Sequence, residues 1–448
     1  MKTSLSAKET TAIGLMLFAL FFGAGNMIFP PQLGQAAGEN IWPAIIGFLL
    51  TGVGLPLLGV IAVALKGSAK GLADKAHPVF GTILIVSIYL TIGPLFAIPR
   101  TGNVSYVIAV EPFLGKHSSS LYLFIFTLIF FGITYFLALN PSKLVDRIGK
   151  ILTPILLTVI AILVIKAFIT PMGSIGSVTE AYQSAPLFVG FLEGYKTMDA
   201  IASIVFGIVV ITAIKDRGVT NPKSIAASCI KAGIVAAVGL GLVYVSLAYL
   251  GATSVETVGS LDNGGEILSK ASAYLFGSLG NAVLGIAILF ACLTTSVGLV
   301  SSCGEYFSNL IPKLSYKAVV IIVTLFSLVI ANFGLTEIIS FSVPILSAIY
   351  PLAIVVVLLS FIDKLFNERR EVYIGTLIPT GILSIIDGLN AAKIPLGPVN
   401  DILKANIPLF SMGVGWVVPA VIGAVIGYIV TFIWVSPKDV CRVFCLKK

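Results

Sequence analysis

Residues 14–31 read Gly-Leu-Met-Leu-Phe-Ala-Leu-Phe-Phe-Gly-Ala-Gly-Asn-Met-Ile-Phe-Pro-Pro: an apolar run cut by Gly23-Ala24-Gly25-Asn26 and followed at once by Pro30-Pro31. A second run, 186–214, has the same character, with Leu192-Glu193-Gly194-Tyr195-Lys196 set between two apolar halves. A helix in lipid can be interrupted only where the freed backbone is buried in protein or lines a cavity. One Gly-rich patch is usually a packing notch. Two interruptions at matched positions point instead to a binding site near the bilayer midplane.

Composition makes the bilayer the solvent. Of 448 residues, 57% are hydrophobic and 11% charged, with a mean hydropathy of +1.06. A soluble domain carries about 25% charged residues, so this chain cannot coat a globule. Soluble, disordered, collagen-like and disulfide-scaffold classes are excluded together. Cys229, Cys292 and Cys303 lie in apolar runs where packing explains them, and the Cys441/Cys445 tail pair lacks a second ligand cluster. His77 and His117 stand far apart in short loops, which argues against histidine chemistry.

A crossing needs about 20 apolar residues. Twelve stretches qualify: 11–33, 41–65, 79–110, 119–139, 148–168, 186–214, 225–250, 279–302, 318–333, 338–361, 373–389 and 414–435. The first has no A-x-A cleavage pattern and is too long for a signal-peptide core, so it reads as a span. The expectation is an all-α polytopic membrane protein of about twelve transmembrane helices. Both interruptions then fall in spans one and six, and a repeating unit of five helices must invert in the membrane.

The charges orient the chain. With the N-terminus inside, inner segments hold twenty-one Lys and Arg and outer segments five, leaving Arg100 and Lys196 within spans. Acidic residues divide nine and nine, with Glu193 and Asp199 inside span six. That asymmetry is the positive-inside pattern and places both termini in the cytoplasm. The longest outer loop, 251–277, contains Asp262-Asn-Gly-Gly-Glu-Ile and a short helical stretch, and has the length of a lid. No basic run with interleaved aromatics exists, so no nucleic-acid partner is expected, nor an obligatory protein partner. The lipid bilayer is the expected surrounding.

Span eight adds Ala291-Cys292-Leu293-Thr294-Thr295-Ser296. Hydroxyls in membrane helices usually bond back to their own backbone, but three in succession cover nearly the whole circumference. An unwound stretch around Ala19–Gly23 facing Thr294 and Thr295 would offer a hard cation carbonyl and hydroxyl oxygens without formal charge.

Three motifs now carry a resemblance: Phe-Phe-Gly-Ala-Gly-Asn-Met-Ile-Phe-Pro-Pro (21–31), Ile-Gly-Pro-Leu-Phe-Ala-Ile-Pro-Arg-Thr (92–101) and Gly-Phe-Leu-Glu-Gly-Tyr-Lys-Thr-Met-Asp-Ala (190–200). In this order they resemble the bacterial branched-chain amino acid:cation symporters, the BrnQ-type carriers of the amino acid–polyamine–cation superfamily, and the likeness spans essentially the whole chain. It implies a LeuT-like five-plus-five inverted repeat with helices 1 and 6 broken and two extra C-terminal helices. The units would be residues 1–170, 171–365 and 366–448. It also implies Na⁺-coupled, in some members H⁺-coupled, uptake of leucine, isoleucine and valine across the bacterial cytoplasmic membrane, with no cofactor beyond the coupling ion. By the same resemblance Gly23, Gly25 and Asn26 would receive the substrate carboxylate on backbone amides. The carbonyls at Phe191–Gly194 would take its ammonium. Ala291, Thr294 and Thr295, with the carbonyls of Ala19 and Phe22, would hold Na⁺. An apolar pocket for the aliphatic side chain would draw on Phe22, Phe191 and Leu192, with Tyr89 a further candidate.

Ionisable groups inside a membrane are functional candidates by default. Glu193 is placed to attract an ammonium, hold a cation or relay a proton, or to be neutralised by Lys196 three residues on. Asp199 stands with Thr197 where it would cap the second half-helix. Arg100 is expected to snorkel outward or to pair with Glu111, since a free guanidinium beside the site would compete for the substrate carboxylate. A channel would need a pore ring, and an enzyme a reactive cluster near one face. Neither is present. An uncoupled exchanger of the same fold differs only in coupling.

Overall fold

The computed structural model describes residues 4–115, 119–139 and 143–433, with backbone alone for 143–153. Lys2, Lys116, His117, Lys438, Cys441, Arg442, Cys445, Lys447 and Lys448 therefore lie outside the described residues, as do the side chains of Lys143, Arg147 and Lys150. The described residues form helices and turns without strands.

The chain opens with α1 (Ala7–Phe21), started by a reciprocal cap: the Ser6 N–H donates to Glu9 Oε2 at 2.8 Å and Glu9 N–H donates to Ser6 Oγ at 3.3 Å. Such a pair satisfies two donors that a helix start leaves open. After α2 (Ala24–Ala37) and α3 (Ile41–Leu49) a wide π turn, Leu50–Gly54, leads into α4 (Leu55–Lys66). Next come α5 (Pro78–Leu90), α6 (Ala97–Ala109), α7 (Ser120–Ala138) and α8 (Lys143–Ile169). The chain continues with α9 (Pro186–Glu193), α10 (Asp199–Lys215) and α11 (Pro222–Ala252). The long α12 (Gly264–Leu310) kinks at Gly277, where φ is 69°. The last five are α13 (Tyr316–Ala331), α14 (Leu335–Ile362), α15 (Arg370–Ala391), α16 (Pro398–Asn406) and α17 (Val417–Ile433). The segment expected as the outer loop 251–277 is largely helical, because residues 264–276 continue into α12 as its first turns.

By length and composition seven of these helical stretches are able to cross a membrane, or eight when the pair α9–α10, bent by 46°, counts as one span. Large apolar side chains point outward all along them, among them Leu242, Leu279, Phe136 and Ile83. In water such a surface would aggregate; in lipid it is the solvated face. This is a membrane protein.

Two close approaches hold the interrupted helices against their neighbours. A Cβ on Gly34 would overlap the Ala248 backbone and one on Gly251 the Pro31 backbone, so α2 and α11 touch main chain to main chain. Gly190 on α9 and Gly47 on α3 do the same against Ala44 and Leu187. Lipid removes the hydrophobic drive between helices, and small residues replace it with close van der Waals packing.

One end of the bundle is fastened by charge. Lys66, in the last turn of α4, is bonded to Asp363 just past α14 and lies 3.5 Å from Glu368, which is also bonded to Lys75. The Arg370 Nε–H donates to the Ala76 carbonyl at 2.5 Å, and the Tyr373 hydroxyl approaches Asp363 at 3.4 Å. Asp363 is 1% exposed, whereas the Glu368 side chain is 48% exposed. Removing one member of a buried pair leaves an uncompensated charge at a cost of about 3 kcal/mol, while an exposed pair contributes at most about 1 kcal/mol. Asp363→Asn is therefore expected to lower the thermal unfolding midpoint of the detergent-solubilised protein well below that of Glu368→Gln, and the reverse order would refute this ranking. The Lys75 hydrogen bond and the Lys66 charge hold the Glu368 carboxyl below its usual range. Its contribution is thus complete above about pH 4.3, the unfolded value, and is lost as pH falls through the lowered folded value. Glu368→Gln should remove that part of the acid dependence of the midpoint.

Candidate functional site

The first interruption is narrower than the glycine pattern predicts. Helical geometry stops at Phe22 (φ −73°, ψ 76°) and Gly23 (φ −105°, ψ −166°), and Ala24 already opens α2. The Gly23 N–H turns to the Phe21 carbonyl at 2.7 Å and to Asn26 Oδ1 at 3.1 Å. In a continuous helix that N–H would serve the Ala19 carbonyl, which is thereby deprived of its donor. The first-turn N–H groups of α2, those of Ala24 and Gly25 included, have no intrahelical partner and form the positive end of its dipole.

The second interruption falls at Gly194–Met198, slightly later than the sequence places it. A tight 3₁₀ turn covers Gly194–Thr197, and Met198 takes φ 66°. That left-handed conformation costs a non-glycine residue about 1–2 kcal/mol. The freed carbonyls are engaged: Phe191 accepts from the Thr51 hydroxyl at 2.8 Å and Gly194 from Thr197 at 2.9 Å. The carbonyl of Lys196 accepts from Arg100 Nη1 at 2.6 Å. A carbonyl has two lone pairs, so a single side-chain donor does not saturate it.

Asp199 joins the two interruptions. The Asn26 Nδ2 group donates to Asp199 Oδ2 at 2.5 Å and also to the Tyr244 hydroxyl, which itself donates to Asp199 Oδ2 at 3.1 Å. The N-cap position of α10 falls on Met198, without a side-chain cap, so the expected cap by Asp199 is not made; the Asp199 N–H donates to Thr197 Oγ1 at 3.3 Å. The carboxylate, however, reaches across to α2 and α11 rather than serving its own helix. All three side chains are buried.

Arg100 corrects the sequence expectation. Glu111 stands eleven residues further on, about 16 Å along a helix axis, beyond the reach of one side chain. The guanidinium instead turns inward, 2% exposed, bonds the Lys196 carbonyl, approaches Ser342 at 3.4 Å and lies 5.0 Å over the Phe29 ring. A Cβ on Gly25 would stand 3.1 Å from its Nη1 atom. Arg100 thus sits beside both interruptions, where it was expected to be absent. Glu193 and Lys196 pair with each other at 2.5 Å and are both one-fifth exposed.

On α12 the Thr294 and Thr295 hydroxyls both donate to the Ala291 carbonyl, at 2.9 and 3.0 Å. This is the back-bonding common in membrane helices, and it leaves the lone pairs of both oxygens free. The Thr295 methyl would lie 3.4 Å from a Cβ on Gly23, so α12 meets the first interruption at this residue. Phe22 is buried and stacks on Phe18 at 5.0 Å, while Phe191 packs edge-on to Tyr195 at 5.6 Å. Leu192 and Glu193 face a separate cavity at the end remote from the Lys66 clamp. Tyr89 is not drawn in: it stacks on Tyr306 at 3.9 Å, three helical turns and about 16 Å past Thr295.

Sequence reasoning passes over Tyr244 and Asp387. Tyr244 looks like one aromatic among many in an apolar span, and only its hydroxyl's partners distinguish it. Asp387 carries a signal, an acid directly after Ile385-Ile386 near the end of a span, that charge counting by side obscures.

Solved structures identify the fold. A closed, ligand-bound structure of Mhp1, a nucleobase-cation-symport-1 family transporter, aligns with 93% of this chain and 91% of its own at a TM-score of 0.57 and 12% identity. MhsT in complex with L-phenylalanine aligns over 97% and 99% at a TM-score of 0.56 and 14% identity. The chain has the LeuT-like fold of these membrane proteins. Residues 6–433 match the family described as "Branched-chain amino acid transport protein", and the chain belongs to it. It is 68% identical over 439 residues to the branched-chain amino acid permease BraB of Bacillus subtilis (strain 168), covering 98% of each chain. The permease BrnQ of the same organism is 48% identical, over 96% of this chain and 98% of its own. The chain is a transport protein and not an enzyme.

If Asn26, Asp199 and Tyr244 act as one network, their removal is not additive. Tyr244→Phe and Asn26→Ala should each cost about 1–3 kcal/mol by leaving part of the carboxylate unsatisfied. The double variant should depart from the sum by more than about 0.5 kcal/mol. Unfolding free energies measured for the four proteins of this cycle check it, and strict additivity would dissolve the network.

Proposed function

We propose that this protein imports leucine, isoleucine and valine across the bacterial cytoplasmic membrane by Na⁺ symport with alternating access. The observation that carries the coupling is the meeting of Thr295 with the first interruption, where the Ala19 carbonyl has lost its helical donor. Phe22, Ala291 and Thr294 would complete a set of carbonyl and hydroxyl oxygens without formal charge, which suits a hard monovalent ion. Membership of the branched-chain amino acid transport family and the permeases it resembles support the substrate class.

In this reading twelve spans form two inverted five-helix repeats, residues 1–170 and 171–365, and 366–448 supplies two further helices. Both termini are cytoplasmic, which puts the Lys66 clamp on the inside. The substrate carboxylate binds the backbone amides at Gly23, Gly25 and Asn26, where the Gly23 N–H must exchange its Phe21 and Asn26 partners for the substrate, assisted by the Arg100 guanidinium beside Gly25. Its ammonium is held by the carbonyls at Phe191 and Gly194, and its side chain packs on Phe22 and Phe191. Burial of that aliphatic group contributes about 25 cal/mol per Å², which a charged side chain forfeits. Lys196 and Glu193 are paired with each other at 2.5 Å.

A second reading rests on Asp199, a buried carboxylate touching both interruptions: protonation there would couple H⁺ to the same movement. Uptake by purified protein in liposomes separates the two. Sodium coupling predicts leucine accumulation on a Na⁺ gradient, competition by isoleucine and valine, and none by lysine or glutamate. Thr294→Ala and Thr295→Ala each remove an oxygen ligand, about 1–3 kcal/mol, so the Na⁺ requirement should rise tenfold to a hundredfold. Unaltered Na⁺ dependence in both variants, with H⁺-driven accumulation abolished by Asp199→Asn, would transfer the coupling to Asp199.

A further inference from the structure

Helices α1 and α11 run side by side in the same direction. A Cβ on Gly14 would stand 2.6 Å from that of Val235, and one on Gly239 would stand 3.0 Å from the Phe18 ring. Towards their starts the two helices part and leave a cleft of about 190 Å³. Its polar lining is Ser4, Thr10, Lys223, Ser224, Ser228 and Lys231, and no acidic side chain among the described residues joins them. Lys223, Ala227 and Lys231 recur every fourth residue and so share one face of α11. The volume is below the range of about 300–1,000 Å³ typical of whole small-molecule sites. It suits a single headgroup.

The two lysines have no anion of their own. Neither Lys223 nor Lys231 makes an ion pair among the described residues. Glu9, the acid in the first turn of α1, is held by the Ser6 N–H and hydroxyl, both at 2.8 Å. At the start of α11 the Asn221 side chain accepts from the Lys223 and Ser224 N–H groups at 2.9 and 3.4 Å, so the backbone there is already served. Ser228 gives its proton to the Ser224 carbonyl at 2.8 Å. The hydroxyls of Thr10 and Ser224 bond nothing else among the described residues. Two ammonium groups and two free hydroxyl donors around one small space complement an anion with several oxygens.

We propose that this cleft holds the phosphodiester headgroup of an anionic phospholipid, with Lys223 and Lys231 on the phosphate oxygens and Thr10 and Ser224 donating to them. The surroundings favour a lipid over a free phosphate. Beside Lys231 a row of exposed apolar side chains, Ile230, Ile234, Val238 and Leu242, runs along α11 at every fourth position. The row covers about 18 Å of helix axis, a little over half of a hydrocarbon core of about 30 Å. That is the depth of one leaflet's acyl chains. With the N-terminus inside, the cleft opens at the cytoplasmic leaflet, where basic residues meet anionic lipid. A choline headgroup would bring a third cation to the two lysines. A seated headgroup ties the start of α1 to α11, and α1 is the half-helix that ends at the first interruption.

Native mass spectrometry of the purified full-length protein in detergent, titrated with dioleoylphosphatidylglycerol or dioleoylphosphatidylcholine, reads the first lipid bound. Each lysine near the membrane surface adds about fivefold to the attraction for anionic lipid, so the glycerol lipid should bind about 25-fold more tightly than the choline lipid. Lys223→Gln with Lys231→Gln should remove that preference, whereas Lys223→Arg with Lys231→Arg should keep it. Ala227→Trp fills the cleft without altering charge and should also remove it. Lys313→Gln with Lys317→Gln takes the same charge from the start of α13 and should leave the preference unchanged. A preference that survives in the glutamine pair at 223 and 231 or in Ala227→Trp, or an equal loss in the control pair, overturns the site. So does a wild type without preference. Equilibrium dialysis against inorganic phosphate separates the two sources of the anion. Phosphate retained by a wild type without lipid preference, and lost in the glutamine pair at 223 and 231, would assign the cleft to a soluble anion instead.

Discussion

The carboxylate of Asp199 is the point on which the interior turns. It is a charge-bearing group in the middle of an apolar bundle, and it persists there because Asn26 and Tyr244 satisfy it from two other helices. Asn26 and Asp199 begin the second halves of the two interrupted helices, and Tyr244 braces both against α11. An interrupted helix in lipid has backbone groups that water cannot reach, so its two halves need an external reason to hold their angle. Asn26 supplies it twice, accepting from the Gly23 N–H with its oxygen and donating to Asp199 with its nitrogen.

Arg100 extends the same logic. Its guanidinium lies under the second interruption, bonded to the Lys196 carbonyl, and against the first, beside Gly25 and over Phe29. A buried cation is tolerated only with compensation, and here carbonyl oxygen, an aromatic face and the nearby acid provide it. Glycine at position 25 leaves room for that approach. The two breaks are consequently held by one acid and one base, and a change at either one reaches the other through at most two side chains.

The two ends of the bundle differ in kind. At one, Lys66, Lys75, Asp363 and Glu368 tie α4 to the turn between α14 and α15. At the other, α9, α14 and α15 part to leave a cavity bordered by unpartnered polar atoms. At the clamped end Glu368 reaches water while Lys66 and Asp363 are buried and compensate each other, so ion pairs serve there as fasteners. Deeper in, polar atoms without partners are expensive.

Much of this was written in the chain order. Hydropathy dictated a membrane protein because 11% charged residues cannot hydrate a globule of this length. The glycines at 23 and 25 and the Glu193-Gly194 pair located both interruptions to within a few residues, since only such residues relax a helix in lipid. The Glu193–Lys196 pair followed from i,i+3 spacing on one turn. Other features needed the fold. Arg100 was misassigned because its partner, a carbonyl 96 positions away, leaves no mark in side-chain sequence. Tyr244 acquired its role only when α11 was laid against Asn26 and Asp199. Local sequence determines where a helix must yield, because the reason is local sterics and solvation. Tertiary structure alone decides which distant groups satisfy what the break exposes, because hydrogen bonds depend on positions in space and not on separation along the chain.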